Sequence, residues 1–205
     1  MKIDIKNLSF RYPGSKKNVL NDITLTIPSG KFTAVIGPNG SGKTTLVKQI
    51  NQILVPQKGN IYLDGEDAAE MTPAALARKI AYVPQMGQGA IGGTVLETVL
   101  LGRKPYMKYK LSQEDIEISI SAMLRLHIDH LAEREFLQLS GGQKQTVLLA
   151  RALAQTPQAF LFDEPISFLD IRNQLEIMHQ SKKLSLHEGK TVVAVLHDLN
   201  MAYRY

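Results

Sequence analysis

A glycine-rich loop between an apolar segment and a helical segment constrains this chain more than any other feature. Residues 32–36 read Phe-Thr-Ala-Val-Ile, a short apolar run that predicts a β-strand buried on both faces. The loop that follows consists of Gly37, Pro38, Asn39, Gly40, Ser41, Gly42, Lys43, Thr44 and Thr45. Apolar residues then recur at helical spacing, at Leu46, Val47, Ile50, Ile53 and Leu54. The segment therefore predicts a strand, a tight loop and a helix in direct succession.

The loop matches the pattern Gly-x4-Gly-Lys-Thr, which is typical of phosphate binding. Glycines allow the backbone N–H groups to turn inward around an anion, and a helix starting near Lys43 adds partial positive charge at its N-terminus. Lys43 can reach the β- and γ-phosphates of a nucleotide, and the Thr44 hydroxyl can ligate Mg²⁺. The predicted ligand is a nucleoside triphosphate with its metal ion.

A phosphate loop of this kind needs a carboxylate on a neighbouring strand to hold the metal. The apolar run at residues 159–162 leads directly into Asp163 and Glu164. Carboxyl ends of strands line the ligand crevice in open α/β sheets, which places both carboxylates near the loop. We expect Asp163 to hold Mg²⁺ and Glu164 to polarise the attacking water.

A second helix start has the features of an anion site. Ser140 is a natural N-cap, and Gly141, Gly142 and Gln143 follow it before an amphipathic run. The chain therefore carries two phosphate-binding helix starts but one pair of metal-binding and base carboxylates. Two chains that face each other, each supplying half of each site, would use all of these groups.

Length and composition limit the number of domains and exclude several classes of site. The chain has 205 residues, enough for one domain with an inserted lobe, and a net charge of +5 that suits an anionic ligand. It contains no cysteine, which excludes disulfides, thiolate metal sites and thiol catalysis. We see no signal peptide and no apolar stretch of about 18 residues that could span a membrane.

Buried apolar strands alternate with helical patterns, which predicts a mainly parallel sheet covered on both faces. The N-terminal region reads as strands that alternate between apolar and polar residues. Between residues 86 and 155 helical patterns dominate, with capping boxes starting at Thr94 and Ser112 and an N-cap at Thr72 before them. We predict one domain in which residues 1–85 and 156–205 form an α/β core around a helical subdomain at 86–155.

Taken together, the chain resembles the nucleotide-binding subunit of an ABC transporter over essentially its whole length. The motifs occur in the order that this family shows. They are Walker A at residues 37–45, the Q-loop at Gln85, the LSGGQ signature at 139–143, Walker B at 160–163 with Glu164, the D-loop at 167–170 and the switch histidine His197. The resemblance implies a P-loop NTPase core with an N-terminal antiparallel β region. Phe168 in the D-loop replaces a residue that is usually smaller.

The resemblance also implies roles for individual residues. Tyr12 would stack on adenine, and Gln85 would approach Mg²⁺ and the attacking water. Ser140 and Gly142 would bind the γ-phosphate in a partner's site, and His197 would contact the γ-phosphate and support Glu164. The family forms a head-to-tail homodimer that sandwiches two ATP molecules. The dimer binds transmembrane permease subunits at the cytoplasmic face of the membrane, and an extracytoplasmic solute-binding protein delivers the cargo.

The stretch from Thr94 to Pro105 and the segment from Leu196 to Ala202 are similar to importers of iron–siderophores, haem and cobalamin. Zinc, manganese and molybdate importers share much of this pattern. Two alternatives remain: a soluble ABC-type ATPase that acts on DNA or ribosomes, and a regulatory module that binds ATP without turnover. Members of the family usually continue beyond the switch histidine. We therefore expect this chain to lack a C-terminal portion, and to be less stable and less dimeric than a longer form.

Two further groups are interpreted as ordinary surface. His127 and His130 lie three residues apart on a predicted helix, and we expect a solvated pair rather than a metal site. Lysines alternate with tyrosines at residues 104–110, a pattern that nucleic acid or lipid head groups could use. A solvated loop or a docking face for a membrane subunit is our interpretation there, and no nucleic-acid partner is expected.

Overall fold

The computed structural model describes residues 1–85, 92–167, 169–197 and 199–205. The predicted start of the helical subdomain at residue 86 and the D-loop residue Phe168 lie outside these ranges. Strands and α-helices follow in this order: β1 Ile3–Phe10, β2 Leu20–Ile27, β3 Phe32–Ile36, α1 Lys43–Ile50, β4 Lys58–Leu63, β5 Glu66–Asp67, α2 Pro73–Lys79, β6 Ile80–Val83, α3 Val95–Leu100, α4 Gln113–Arg125, α5 Gly141–Ala154, β7 Ala159–Asp163, α6 Ile171–Leu186, β8 Thr191–Leu196 and α7 Leu199–Arg204.

A parallel sheet in the order β3-β8-β7-β6 forms the centre of the molecule. Successive residues of a strand point to opposite faces, so β7 contributes to two hydrophobic clusters. Phe160 and Phe162 pack with α3, α4, α5 and α6 on one face. Leu161 packs on the other face with α1 and the N-terminal strands. The predicted parallel sheet with both faces covered is confirmed.

Strand β3 differs from its prediction. We expected residues 32–36 to be buried on both faces, yet every residue of β3 keeps some exposure, and Ile36 is 45% exposed. Strand β3 lies at an edge of the sheet beside β8, whereas the central strands β7 and β8 are fully buried. The strand at the opposite edge, β6, is mostly buried, so edge position alone does not account for the exposure of β3.

A second, antiparallel sheet in the order β2-β1-β4-β5 confirms the predicted N-terminal β region. Ile3, Ile5 and Leu8 all face its core, although strict alternation would place Leu8 on the opposite side. A left-handed residue, Asn7 with φ 50°, and a register shift after Ile5 return Leu8 to the buried face.

The predicted caps are confirmed. Thr72 caps α2, and capping boxes start α3 at Thr94 and α4 at Ser112. Helix α5 begins with a capping box as well, because Ser140 Oγ accepts from Gln143 N and Gln143 Oε1 accepts from Ser140 N. Satisfied N-termini of this kind fix where each helix starts.

A buried ion pair joins the helices of the inserted region. Arg103 Nε donates to Asp115 Oδ1 at 2.8 Å, and both side chains are about nine-tenths buried or more. Arg103 also donates to Ala154 O and Thr156 Oγ1, and its guanidinium lies 4.0 Å from the ring centre of Tyr106. Hydrogen bonds from the Ser112 backbone and then from Arg103 lower the pKa of Asp115 to about 2, so this carboxylate stays ionised near neutral pH.

Two smaller predictions need correction. Helix α1 ends at Ile50, so Ile53 lies beyond it and is 52% exposed. His127 and His130 do not share a helix, since His127 has φ 56° in the turn after α4 and His130 belongs to a short 3₁₀ turn. Within the part of the chain that the structure describes, no helix is long and apolar enough to cross a membrane.

Candidate functional site

The predicted phosphate loop connects the end of β3 to the start of α1. Gly42 precedes the helix with φ 93°, a left-handed conformation that glycine adopts without steric cost. A Cβ at Gly42 would also lie only 3.0 Å from Val19 O, so a side chain there would be crowded as well as strained. Lys43 is 8% exposed, and its ammonium donates to Gly37 O at 2.8 Å and to Pro38 O at 2.9 Å. The loop thus curls around the positive charge that a phosphate would meet.

Asp163 ends β7 and is fully buried beside the loop. Thr44 Oγ1 donates to its Oδ1 at 2.7 Å, and the Tyr82 hydroxyl donates to its Oδ2 at 2.9 Å. Burial, followed by the Asp163 charge, raises the pKa of Tyr82, so the hydroxyl remains a protonated donor. Hydroxyl and carboxylate oxygens are ligands that Mg²⁺ prefers, so Thr44 and Asp163 fit the metal site predicted for them.

Glu164 follows Asp163 in a left-handed conformation with φ 52°, which is uncommon for a residue with a side chain. Three groups hold its carboxylate. Gln85 Nε2 donates to Oε2 at 2.7 Å, Ser167 Oγ donates to the same oxygen at 3.0 Å, and His197 Nε2 lies 2.5 Å from Oε1. Three sequence-predicted residues, Glu164, Gln85 and His197, therefore meet in one cluster.

The loop and this cluster line one cavity of about 720 Å³. Tyr12 lies at its rim, 38% exposed, packs edge-on against Phe10, and its hydroxyl is 3.2 Å from Thr45 Oγ1. The lining residues are Tyr12, Val19, Asn39, Gly40, Gly42, Lys43, Thr44, Thr45, Gln85, Glu164, Ser167 and His197. Residues of the glycine loop, Thr44 and Glu164 thus line the same space, which is large enough for a small-molecule ligand.

The signature residues do not line this cavity. Ser140, Gly141, Gly142 and Gln143 start α5, and Ser140 and Gln143 border a separate cavity of about 620 Å³. Asn173 of α6 lies against this helix start, because a Cβ at Gly142 would come within 2.6 Å of Asn173 Nδ2. Within one chain, the two helix starts that the sequence predicts to bind anions therefore border different cavities.

Sequence reasoning missed two contacts in the site. No motif indicated that Tyr82 reaches Asp163, because the contact depends on the register between β6 and β7. Ser167 was recognised as part of the D-loop, but its hydrogen bond to Glu164 was not expected. The only signal for Tyr82 was its place three residues before Gln85 on a strand that neighbours Walker B.

Comparison with known proteins identifies the family. The profile of the ABC transporter family matches residues 20–167. The achromobactin transport ATP-binding protein of Dickeya dadantii is 40% identical over 193 residues, which span 93% of this chain and 72% of that protein. The ferric enterobactin transport ATP-binding protein of Escherichia coli is 39% identical over 192 residues, 93% of this chain and 71% of that protein.

A solved structure agrees with the fold. It is the dimeric post-hydrolysis state of an ATP-binding cassette with ADP and inorganic phosphate bound, and it matches with a TM-score of 0.87 and 32% identity. The match covers 98% of this chain and 90% of that one. With the family profile over residues 20–167 and relatives about 40% identical over most of its length, this chain is a nucleotide-binding ATPase subunit of the ABC transporter family.

Proposed function

We propose that this chain binds and hydrolyses ATP with Mg²⁺ as a homodimer and so powers a membrane importer. The observation that carries the proposal is the division of anion-binding groups within one chain. The cavity at Lys43 is lined by the loop, the Thr44 hydroxyl and Glu164, while the signature residues Ser140 and Gln143 border another cavity. A head-to-tail pair of chains would bring each signature to the partner's loop.

Within this site each residue has a defined task. Tyr12 stacks on the adenine, and Lys43 and the N–H groups of residues 39–45 hold the phosphates. Thr44, Asp163 and Gln85 hold the metal. Bound Mg²⁺ would neutralise charge on the β- and γ-phosphates. Glu164 polarises the attacking water while its other contacts hold its orientation. His197 supports that carboxylate from the opposite oxygen.

The proposed domain consists of a catalytic core and a helical subdomain. Residues 1–85 and 156–205 form the catalytic core, and residues 86–155 form the helical subdomain that carries the signature. Motion of this subdomain would pass to permease subunits through the surface near residues 86–110. The chain would then lie at the cytoplasmic face of the membrane, with a solute-binding protein acting on the far side.

The proposed cargo is an iron–siderophore or a related chelate such as haem or cobalamin. Two relatives that match over most of this chain are named for the transport of siderophores. No pocket of the cassette needs to contact the cargo, so the assignment is supported by these relatives rather than by a binding site.

The shared site is tested by replacing Ser140 with Ala. We expect steady-state hydrolysis to fall about tenfold or more, because the variant loses one group that binds the γ-phosphate in the partner's site. Affinity of the monomer for a fluorescent ATP analogue should stay within twofold, since Ser140 does not line the monomer's cavity. An unchanged hydrolysis rate would contradict the two-chain site.

The alternative, a soluble ATPase that acts on DNA or ribosomes, makes a different prediction. The importer proposal predicts co-purification with a polytopic membrane protein and no stimulation of hydrolysis by nucleic acid. Hydrolysis assays with added DNA and RNA, together with purification from detergent-solubilised membranes, distinguish the two. Strong stimulation by nucleic acid without a membrane partner would favour the alternative.

A further inference from the structure

The end of strand β6 contacts both carboxylates of the site. Tyr82 donates from its hydroxyl to Asp163 Oδ2, and Gln85, three residues later, donates to Glu164 Oε2. Tyr82 pairs opposite Leu161 in the parallel register with β7. Residues two apart on a strand share a face, so Asp163 lies on the face that carries Tyr82. The strand register itself therefore brings the tyrosine to the metal-side carboxylate.

The two oxygens of Asp163 have separate donors. Thr44 approaches Oδ1 from helix α1, and Tyr82 approaches Oδ2 from strand β6. Asp163 has no solvent exposure, so water cannot replace a lost donor on its buried side. The hydrogen bond from Tyr82 to Oδ2 fixes the plane of the Asp163 carboxylate. Oδ1 then points toward the hydroxyl of Thr44, the other proposed metal ligand.

We infer that Tyr82 is a positioning residue that orients Asp163 for the divalent cation of the nucleotide, an inference that rests on the function proposed above. Partners that orient a metal ligand typically alter metal affinity 10–100-fold when they are removed. Tyr82 thus orients the carboxylate proposed to bind the metal. Gln85, Ser167 and His197 instead contact Glu164, the proposed base.

The test is Tyr82→Phe, which removes only the hydroxyl. With Mn²⁺ as the probe and a non-hydrolysable ATP analogue bound, electron paramagnetic resonance of free Mn²⁺ gives the metal dissociation constant. We expect this constant to rise about tenfold, while affinity for the metal-free analogue is unchanged. In hydrolysis assays the Mg²⁺ concentration for half-maximal rate should rise similarly, with kcat at saturating Mg²⁺ within about threefold of wild type.

Tyr62→Phe is the matched control, because Tyr62 is also a half-buried strand tyrosine but its ring contacts Lys6, away from the cavity. It should leave the Mn²⁺ constant unchanged. If Tyr82→Phe binds Mn²⁺ as wild type does, or loses kcat and thermal stability without a change in metal affinity, the inference about Tyr82 is wrong. If wild type itself fails to bind the analogue and Mn²⁺, the proposed function fails instead.

Discussion

Replacing Glu164 with Gln is expected to lower ATP turnover at least about 100-fold while ATP binding is retained. General base catalysis contributes about 10²–10⁴-fold to a rate, and an amide cannot accept the proton of the attacking water. Gln has nearly the same shape as Glu, and its carbonyl oxygen can still accept from Gln85 and Ser167. Steady-state phosphate release measures the turnover, and a fluorescent ATP analogue measures the binding.

The same variant should accumulate as a dimer when ATP is present. ATP would join two chains through the loop of one and the signature of the other, and slow hydrolysis would leave the dimer closed. Size-exclusion chromatography with light scattering, in ATP and in ADP, measures this. The matched control is Glu70→Gln at an exposed position outside the cavity, which should hydrolyse ATP as wild type does. Near-normal turnover by the Glu164 variant would show that another group is the base.

Local patterns predicted most of the elements that position the site. Caps at Thr72, Thr94, Ser112 and Ser140 depend on residues within three positions, so the sequence identifies them directly. The exposure of β3 could not be predicted in this way. An apolar run looks the same in a central strand and in an edge strand, and only the sheet order β3-β8-β7-β6 separates them.

In the candidate site, too, local patterns predict contiguous motifs but not the contacts between distant residues. The glycine loop and the pair Asp163 and Glu164 follow from motifs, because each motif is contiguous in sequence. The hydrogen bond from Tyr82 to Asp163 spans 81 residues and exists only because β6 pairs with β7 in one register. Long-range contacts of this kind require the fold, and a motif scan does not supply them.

The buried ion pair of Arg103 and Asp115 connects the helices of the inserted region. Arg103 links the turn after α3 to Asp115 on α4 and, through Ala154 O, to the end of α5. Helix α5 begins at the signature residues, so this network connects the signature helix to its neighbours. We expect loss of this network to lower the free energy of unfolding rather than to change the chemistry at Glu164.

Replacing Arg103 with Ala is expected to lower the free energy of unfolding by about 3–5 kcal/mol. Removing one partner of a buried pair leaves the other charge desolvated without compensation, here Asp115, and also leaves Ala154 O without its side-chain donor. For a domain of this size such a loss corresponds to a melting temperature lower by roughly 10 °C. Urea and thermal unfolding followed by circular dichroism measure both quantities.

Arg125→Ala provides the matched control, since Arg125 pairs with Glu188 at 2.6 Å but both side chains are about one-third exposed. An exposed pair contributes about 0–1 kcal/mol, so this variant should unfold close to wild type. Each change removes one guanidinium from a carboxylate partner, but Arg103→Ala also removes the bonds to Ala154 O and Thr156 Oγ1. The comparison therefore sets the whole buried network of Arg103 against a surface pair. Equal losses in the two variants, or no loss at Arg103, would mean that the buried pair does not stabilise the helical region beyond what a surface pair does.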